Sequence, residues 1–453
     1  MNLIFSLTDE QISLAIELFD IKETDSLSRQ QTEKALQLFR SLKDKRPDLQ
    51  ANEDIRPKKI NNQFEPLEEY FQNPKRIIYL TRWTINILPY IELLKEVGNL
   101  PLKRIKDDFE GYLKDIFGLY LSTLKEINTK IPEKYNLLSV IDLKNVVEIS
   151  KKIQWAVSDY FKGFPNEAFN HLATLIDENI MPKGYLNKHM HIWDNRKELL
   201  YKMRTGTNHT YSKEEMFHIP FEKRGLVSTN RYSIPGLPCV YLGNSPLTCW
   251  EELNRPDLNS VQTALFVRKK ISYLNFSTPP GALIELLLND FYINGTDDEE
   301  FKETYNELIS YIVVWPLMAA CSIRVKNPND SFKPEYIIPQ LLLQWIRQSD
   351  FDGISYFSTK IEDYTYATAQ LYTNYAFPVQ TQENEGYCSI LSSKFDITDA
   401  IPWQSFQLYK ASPLAMPNEE AKRVEFELID GIKLKYSDTD FSRLEALLIN
   451  KYT

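Results

Sequence analysis

A chain of 453 residues, 43% hydrophobic and 25% charged, is too long for one ordinary core and has the balance of a globular protein, so two or three domains are expected. Its net charge of -9 argues against a broad phosphate-binding surface of the kind that holds nucleic acid, while leaving room for a local basic pocket. Cys239, Cys249, Cys321 and Cys388 form no CxxC pair and have no histidines at ligand spacing, so neither zinc nor a disulfide framework is suggested, and they read as buried thiols of a reducing compartment.

The first residues, MNLIFSLTDEQ, do not make a signal peptide. From Leu7 to about Lys197 the pattern is helical: TDEQISLAIELF, QQTEKALQLFRSL, RWTINILPYIELLKEV and DDFEGYLKDIFGLYLSTLKEI repeat apolar residues every three or four positions. Lys43–Lys59 is polar and proline-bearing, as a loop or flexible connection would be. An all-helical N-terminal domain over 1–195 is therefore expected. The longest apolar run, Leu308–Ile323, is shorter than a bilayer-spanning helix and contains Pro316, which predicts a buried helix followed by a strand in a cytoplasmic protein without a membrane role.

Near Leu199 short apolar or β-branched runs (CVYL, TALFV, DGISYF) begin to alternate with turns and helical segments, which predicts a mixed α/β or α+β domain over 196–413. The SPLAMPNEE segment then marks a boundary before a tail, 414–453, with its own strand pair (RVEFELIDGIKLKYS) and helix (DFSRLEALLIN). The fold class expected is multidomain α plus α/β.

One stretch of the second domain, RYSIPGLPCVYLGNSPLTCWEEL (Arg231–Leu253), concentrates the polar chemistry. Ser245-Pro246 is an N-cap followed by proline at the first helical position, so a helix begins there whose free amides could receive anionic oxygens. Glu251 and Glu252 stand about 100° apart on that helix. Taken alone, the stretch reads first as a surface turn with both glutamates solvated and Arg231 paired to one of them.

The same vocabulary recurs in order: YKMRT (Tyr201–Thr205), MFHIPFEKRGLVSTNRYSIPG, the stretch above, EYIIPQLLLQWI (Glu335–Ile346), DGISYFS (Asp352–Ser358) and NYAFP (Asn374–Pro378). This ordered set resembles the RES domain family over roughly Leu199 to Pro378. By motif, the family's first arginine falls on Arg204, with Lys202 as the alternative register, and its second on Arg231, followed by Tyr232, although Asn230 stands where the family has glycine. The strand-end tyrosine matches Tyr241, the helix glutamate Glu252 and the serine Ser358. The resemblance implies an ADP-ribosyltransferase-like fold and a toxin or defence effector that degrades NAD+ by hydrolysis or phosphorolysis.

On that reading NAD+ is substrate, and no cofactor or metal is implied; no GxGxxG motif supports a hydride-transfer enzyme. Glu252 would stabilise the positive charge that develops on the ribose, and Arg204 and Arg231 would hold the pyrophosphate. Tyr241 and Tyr232 would pack on the ligand, and Ser358 would bind it or orient the glutamate. Glu251 is read as a neighbour that can be changed at little cost. His218, a substrate-binding candidate, is equally read as a packed loop residue, and Arg224 is a spare candidate for a phosphate contact. An antitoxin or regulatory protein is the implied partner, with a homo-oligomer left open.

The N-terminal region resembles the HEPN-like helical domain often found ahead of RES domains, especially in DYFKGFPNEAFNHLATLI, which implies a regulatory, dimerising or partner-binding module. Arg204 and His209 have the Arg-x4-His spacing of HEPN ribonucleases, but Gly206 and its neighbours predict no helix there, and His171 has no arginine at the required distance before it. ValSerThrAsn (Val227–Asn230) resembles a strand of arginine-specific ADP-ribosyltransferases, yet Glu251-Glu252 lacks their Glu-x-Glu spacing. Two alternatives stay open: ADP-ribosyl transfer to a macromolecule, and a non-catalytic module that senses a nucleotide.

Overall fold

The computed structural model describes residues 7–42, 66–186, 190–194, 198–293, 298–361, 364–408, 424–429 and 432–452. Both Lys43–Lys59 and the SPLAMPNEE segment lie outside them. The chain forms two compact units: Met1–Asn99, Lys114–Val147 and Ile284–Val313 make the first, and Leu100–Leu113, Glu148–Leu283 and Val314–Thr453 the second. The fold is α+β, with a helical N-terminal region and a mixed sheet, as the sequence predicts.

Among the described residues the first unit is helical. Its helices Asp9–Phe19 and Arg29–Ser41 each begin with a capping box, Thr8 with Gln11 and Ser28 with Gln31, which satisfies two of the amides a helix start leaves unpaired. The apolar stripe of each, Leu14, Ala15 and Leu18 on one and Ala35, Leu38 and Phe39 on the other, is buried. Pro316 does not end a helix where the sequence suggested a break, because Asp298–Ser322 is one helix with the proline inside it. Proline has no N–H to give the carbonyl four residues back, that of Ile312, and the Tyr120 hydroxyl donates to that oxygen instead, at 3.0 Å.

The second unit carries a nine-stranded sheet: β1 His191–Asp194, β2 Glu198–Thr205, β3 Cys239–Gly243, β4 Val261–Arg268, β5 Ile271–Phe276, β6 Gly353–Phe357, β7 Thr373–Pro378, β8 Phe395–Ile397 and β9 Ile401–Pro402. Their order is β1-β5-β6-β7-β3-β2-β4-β8, with β9 on β4. Among these described strands only β5 and β6 pair in parallel. β6 and β7 are interior strands, and Gly353 opens β6 because a Cβ there would stand 2.5 Å from the Ala376 carbonyl oxygen. β2 and β3 share only the pair Tyr201–Gly243.

Side-chain alternation divides the sheet into two faces. Leu200, Val240, Leu242, Ala264, Phe266, Tyr375 and Phe377 enter one core cluster with Met216, Phe217, Phe221 and Cys388. Tyr201, Tyr241, Asn374 and Ala376 turn to the other face, where the helix Pro246–Glu252 sits close enough that a Cβ on Gly243 would touch the Cys249 sulfur at 3.0 Å. The C-terminal residues form the hairpin β10 Glu425–Ile429 with β11 Ile432–Lys435, then the helix Asp440–Tyr452, which packs on this unit. Buried Glu445 accepts from the hydroxyls of Tyr201 and Tyr436 at 2.9 and 2.7 Å, and Phe441 lies 5.4 Å from the Trp250 ring. All four cysteines are buried and free. Among the described residues no helix is long and apolar enough to cross a membrane.

Candidate active site

The helix that carries the two glutamates is built as its sequence suggests: Ser245 Oγ accepts from the Thr248 N–H at 3.0 Å, and Pro246 fills the first position. Its N-terminal end, expected to be open to an anion, is covered by the chain itself. Ser245 and Thr248 are buried, and both hydroxyls donate to the Leu371 carbonyl, at 3.2 and 2.5 Å.

At the other end the two glutamates part company. Glu251 is 7% exposed and pairs with Arg255 at 2.8 Å, while that guanidinium also lies over the Trp250 ring. Asn254 and Arg255 have φ of 62° and 54°; asparagine tolerates this left-handed region, arginine does not favour it, and the ion pair holds Arg255 there. Glu251 is thus a structural residue and not the freely changeable neighbour expected.

Glu252 faces out, and its Oε1 accepts from Ser358 Oγ at 2.5 Å and from Asn374 Nδ2 at 2.8 Å. Among the described residues no donor reaches Oε2. Ser358 follows β6, is 1% exposed, and itself accepts from the Lys360 N–H at 3.2 Å; its carbonyl accepts from the Tyr364 hydroxyl. One carboxylate oxygen is therefore fixed by two donors, and among the described residues the other is left without one.

Arg231 stands at the same place. Its guanidinium donates to the Cys321 carbonyl at 3.1 Å and to Thr359 Oγ1 at 3.4 Å, and lies 5.2 Å from the centre of the Tyr336 ring. The charges of Arg231 and Glu252 are both felt by Tyr336 and Tyr356, and that of Glu252 also by Tyr364. Burial pushes these three phenols up; Glu252 adds to the shift in all three, and Arg231 opposes it in the first two, so the rings remain neutral hydrogen-bond donors. Tyr241 lies on this face, its hydroxyl donating to the Tyr232 carbonyl at 2.7 Å. Tyr232 is 1% exposed and packs 4.4 Å from the Tyr356 ring, so it supports the wall and cannot itself touch a ligand.

Three sequence candidates stand elsewhere. Arg204 and Lys202 follow Leu200 on the opposite face of β2, by strand alternation. Arg204 donates to the Glu215 carbonyl and lies over the Tyr211 ring, and Lys202 donates to the Phe217 carbonyl at 2.5 Å, so both side chains stand on the face away from Glu252. His218 is 2% exposed among Phe217, Phe221 and Tyr387. Its Nδ1 meets the Ile219 carbonyl at 2.7 Å and its Nε2 accepts from the Cys388 N–H at 2.9 Å, which requires a neutral ring; burial moves its pKa down to about 4. His209 pairs with Glu215 in the loop after β2, so Arg204 and His209 share no helix.

Asn374, Tyr336, Tyr356 and Tyr364 were not singled out from sequence. The one legible signal was Asn374, a polar residue inside the otherwise apolar NYAFP run. Among the described residues no group of three or more His, Cys, Asp or Glu is placed to hold a metal ion.

No protein-family model matches the chain. Nor does any solved structure match it. It is 34% identical over 454 residues to the curated protein named "Putative toxin YopC" of Bacillus subtilis (strain 168), with 95% of each chain covered. Identity at that level across nearly the whole of both chains includes both compact units, and the chain belongs to the family of that protein.

Proposed function

We propose that this chain is a toxin that consumes NAD+ by cleaving the bond between nicotinamide and ribose. The observation that carries the reading is the Glu252 carboxylate, with Oε1 held by Ser358 and Asn374 and Oε2 left for a ligand beside Arg231 and the tyrosines Tyr336, Tyr356 and Tyr364. As nicotinamide leaves, positive charge grows on the ribose. A carboxylate already oriented by two donors stabilises that charge more than it stabilises the neutral sugar, which is what lowers a barrier. Water then supplies the oxygen that replaces nicotinamide, giving ADP-ribose and a proton; with phosphate as acceptor the product is the phosphorylated sugar.

The resemblance of the Arg231, Tyr241, Glu252 and Ser358 segments to the RES family, and the toxin name of the relative, support the same reading. Arg204 has no part in it. The pyrophosphate falls to Arg231, which has donors left after its two protein bonds, with Lys360 as a second cation whose Nζ rests on Asn254 Oδ1 at 2.7 Å. A toxin of this kind implies a neutralising antitoxin as partner. Purified protein incubated with NAD+ in phosphate and phosphate-free buffer is expected to release nicotinamide in at least one, and the co-product names the acceptor. Label from NAD+ appearing in protein or nucleic acid, with little free ADP-ribose, would instead make it a transferase.

A further inference from the structure

A cavity of about 420 Å3 lies where the chain enters β3, at the opposite end of that strand from Gly243 and Glu252. Two arginines line it, Arg224 and Arg347, together with the amides of Gln344 and Gln348 and the aliphatic side chains of Ile234 and Leu237. Arg224 gives one donor to the Glu383 carbonyl at 3.2 Å and lies over the Phe221 ring. The Arg347 Nε is buried without a hydrogen-bond partner. Among the described residues neither guanidinium has an ion pair, and the nearby Glu383 carboxylate is turned to the hydroxyls of Thr381 and Ser389 at 2.8 and 3.3 Å.

Two guanidinium groups without a counter-ion, lining one partly open pocket, favour an anion that supplies acceptors to both. The remaining lining restricts which anion fits. Ile234 and Leu237 form an apolar wall, and the amides of Gln344, Gln348 and Gln382 can each both donate and accept, as the edge of a heterocyclic base requires. The volume falls within the roughly 300–1,000 Å3 of small-molecule sites. We propose that this cavity is a second ligand site, separate from Glu252, that takes a nucleoside monophosphate, with the phosphate on Arg224 and Arg347 and the ring on the Ile234–Leu237 wall.

The site also bears on Arg231. Ile234 and Leu237 bracket a turn, closed by the Leu237 N–H on the Ile234 carbonyl at 2.9 Å with Gly236 at φ 72°, in the segment that leads from Arg231 to β3. On the helix Ile337–Gln348, one turn before Gln344, Gln340 donates to the Asn230 carbonyl at 3.0 Å. A ligand in the cavity therefore leans on the segment that places Arg231.

The proposal stands whether or not the Glu252 site cleaves NAD+, and the test keeps the two apart. The full chain is titrated calorimetrically with adenosine monophosphate, as wild type and as Arg231→Gln, which weakens the proposed dinucleotide site. Saturable binding of one equivalent is expected in both. It should weaken at least about tenfold in Arg347→Gln and in Gln348→Glu, the latter an exposed position where a new carboxylate repels the phosphate without burdening the fold. No saturation below ~10 mM, binding abolished by Arg231→Gln, or binding indifferent to both cavity variants would overturn the proposal.

Discussion

Replacing Ser358 with alanine isolates the positioning of the carboxylate proposed to be catalytic. The hydroxyl donates to Glu252 Oε1 at 2.5 Å, and Asn374 donates to the same oxygen at 2.8 Å. A hydrogen bond to a charged group contributes about 1.5–3 kcal/mol, and each 1.36 kcal/mol on a barrier is tenfold in rate, so loss of the serine donor is expected to lower kcat for NAD+ cleavage roughly 10- to 150-fold. Because Ser358 is 1% exposed and holds the glutamate, with no direct place for substrate, KM should stay within about threefold. The assay is steady-state nicotinamide release by Ser358→Ala, Glu252→Gln and the double variant, with thermal melts to confirm that each folds. The double variant should be no slower than Glu252→Gln, since the serine acts only through the carboxylate. A folded Ser358→Ala enzyme with unchanged kcat, or a double variant slower by the full product of the two losses, would refute this role.

Arg231→Gln should raise KM for NAD+ by about tenfold or more, whereas Arg204→Gln, on the other face of β2, should leave KM and kcat within about threefold. His218 binds its proton less readily in the folded chain, about 4 against 6.5, so stability is full above pH 6.5 and is lost as pH falls towards 4. That loss amounts to up to about 3 kcal/mol, and the slope of denaturant stability across that window should shrink in His218→Gln. Tyr120→Phe leaves the Ile312 carbonyl beside Pro316 without its donor and should cost about 1–3 kcal/mol by urea unfolding.

How far the sequence could be read follows from the range of the interactions involved. The first two helices were legible from their apolar repeats, and the start of the Glu252 helix from Ser245-Pro246, a local signal whose partner lies within four residues. The strands of CVYL, TALFV and DGISYF were legible from their apolar runs, and Glu252 with Ser358 from motif order. The face of β2 on which Arg204 stands was not, because a change of one residue in register moves a side chain across the sheet and only the pairing with β3 and β4 fixes it. The tyrosines around Glu252 come from positions 336, 356 and 364, scattered in sequence and assembled only by topology. The Ile312 carbonyl that Pro316 leaves without its helical donor is satisfied by a hydroxyl 192 residues away from it in sequence, beyond the reach of any local pattern.

The central claim, that Glu252 stabilises the charge formed when nicotinamide leaves, is tested most directly by nicotinamide release from NAD+ by wild-type and Glu252→Gln protein at equal, verified folding. The glutamine keeps the shape and can still accept from Ser358 and Asn374, but removes the negative charge. The account predicts steady release by the wild type and a loss of at least about 100-fold in the variant. Intact NAD+ after prolonged incubation with the wild type, or equal release by both proteins, would contradict it.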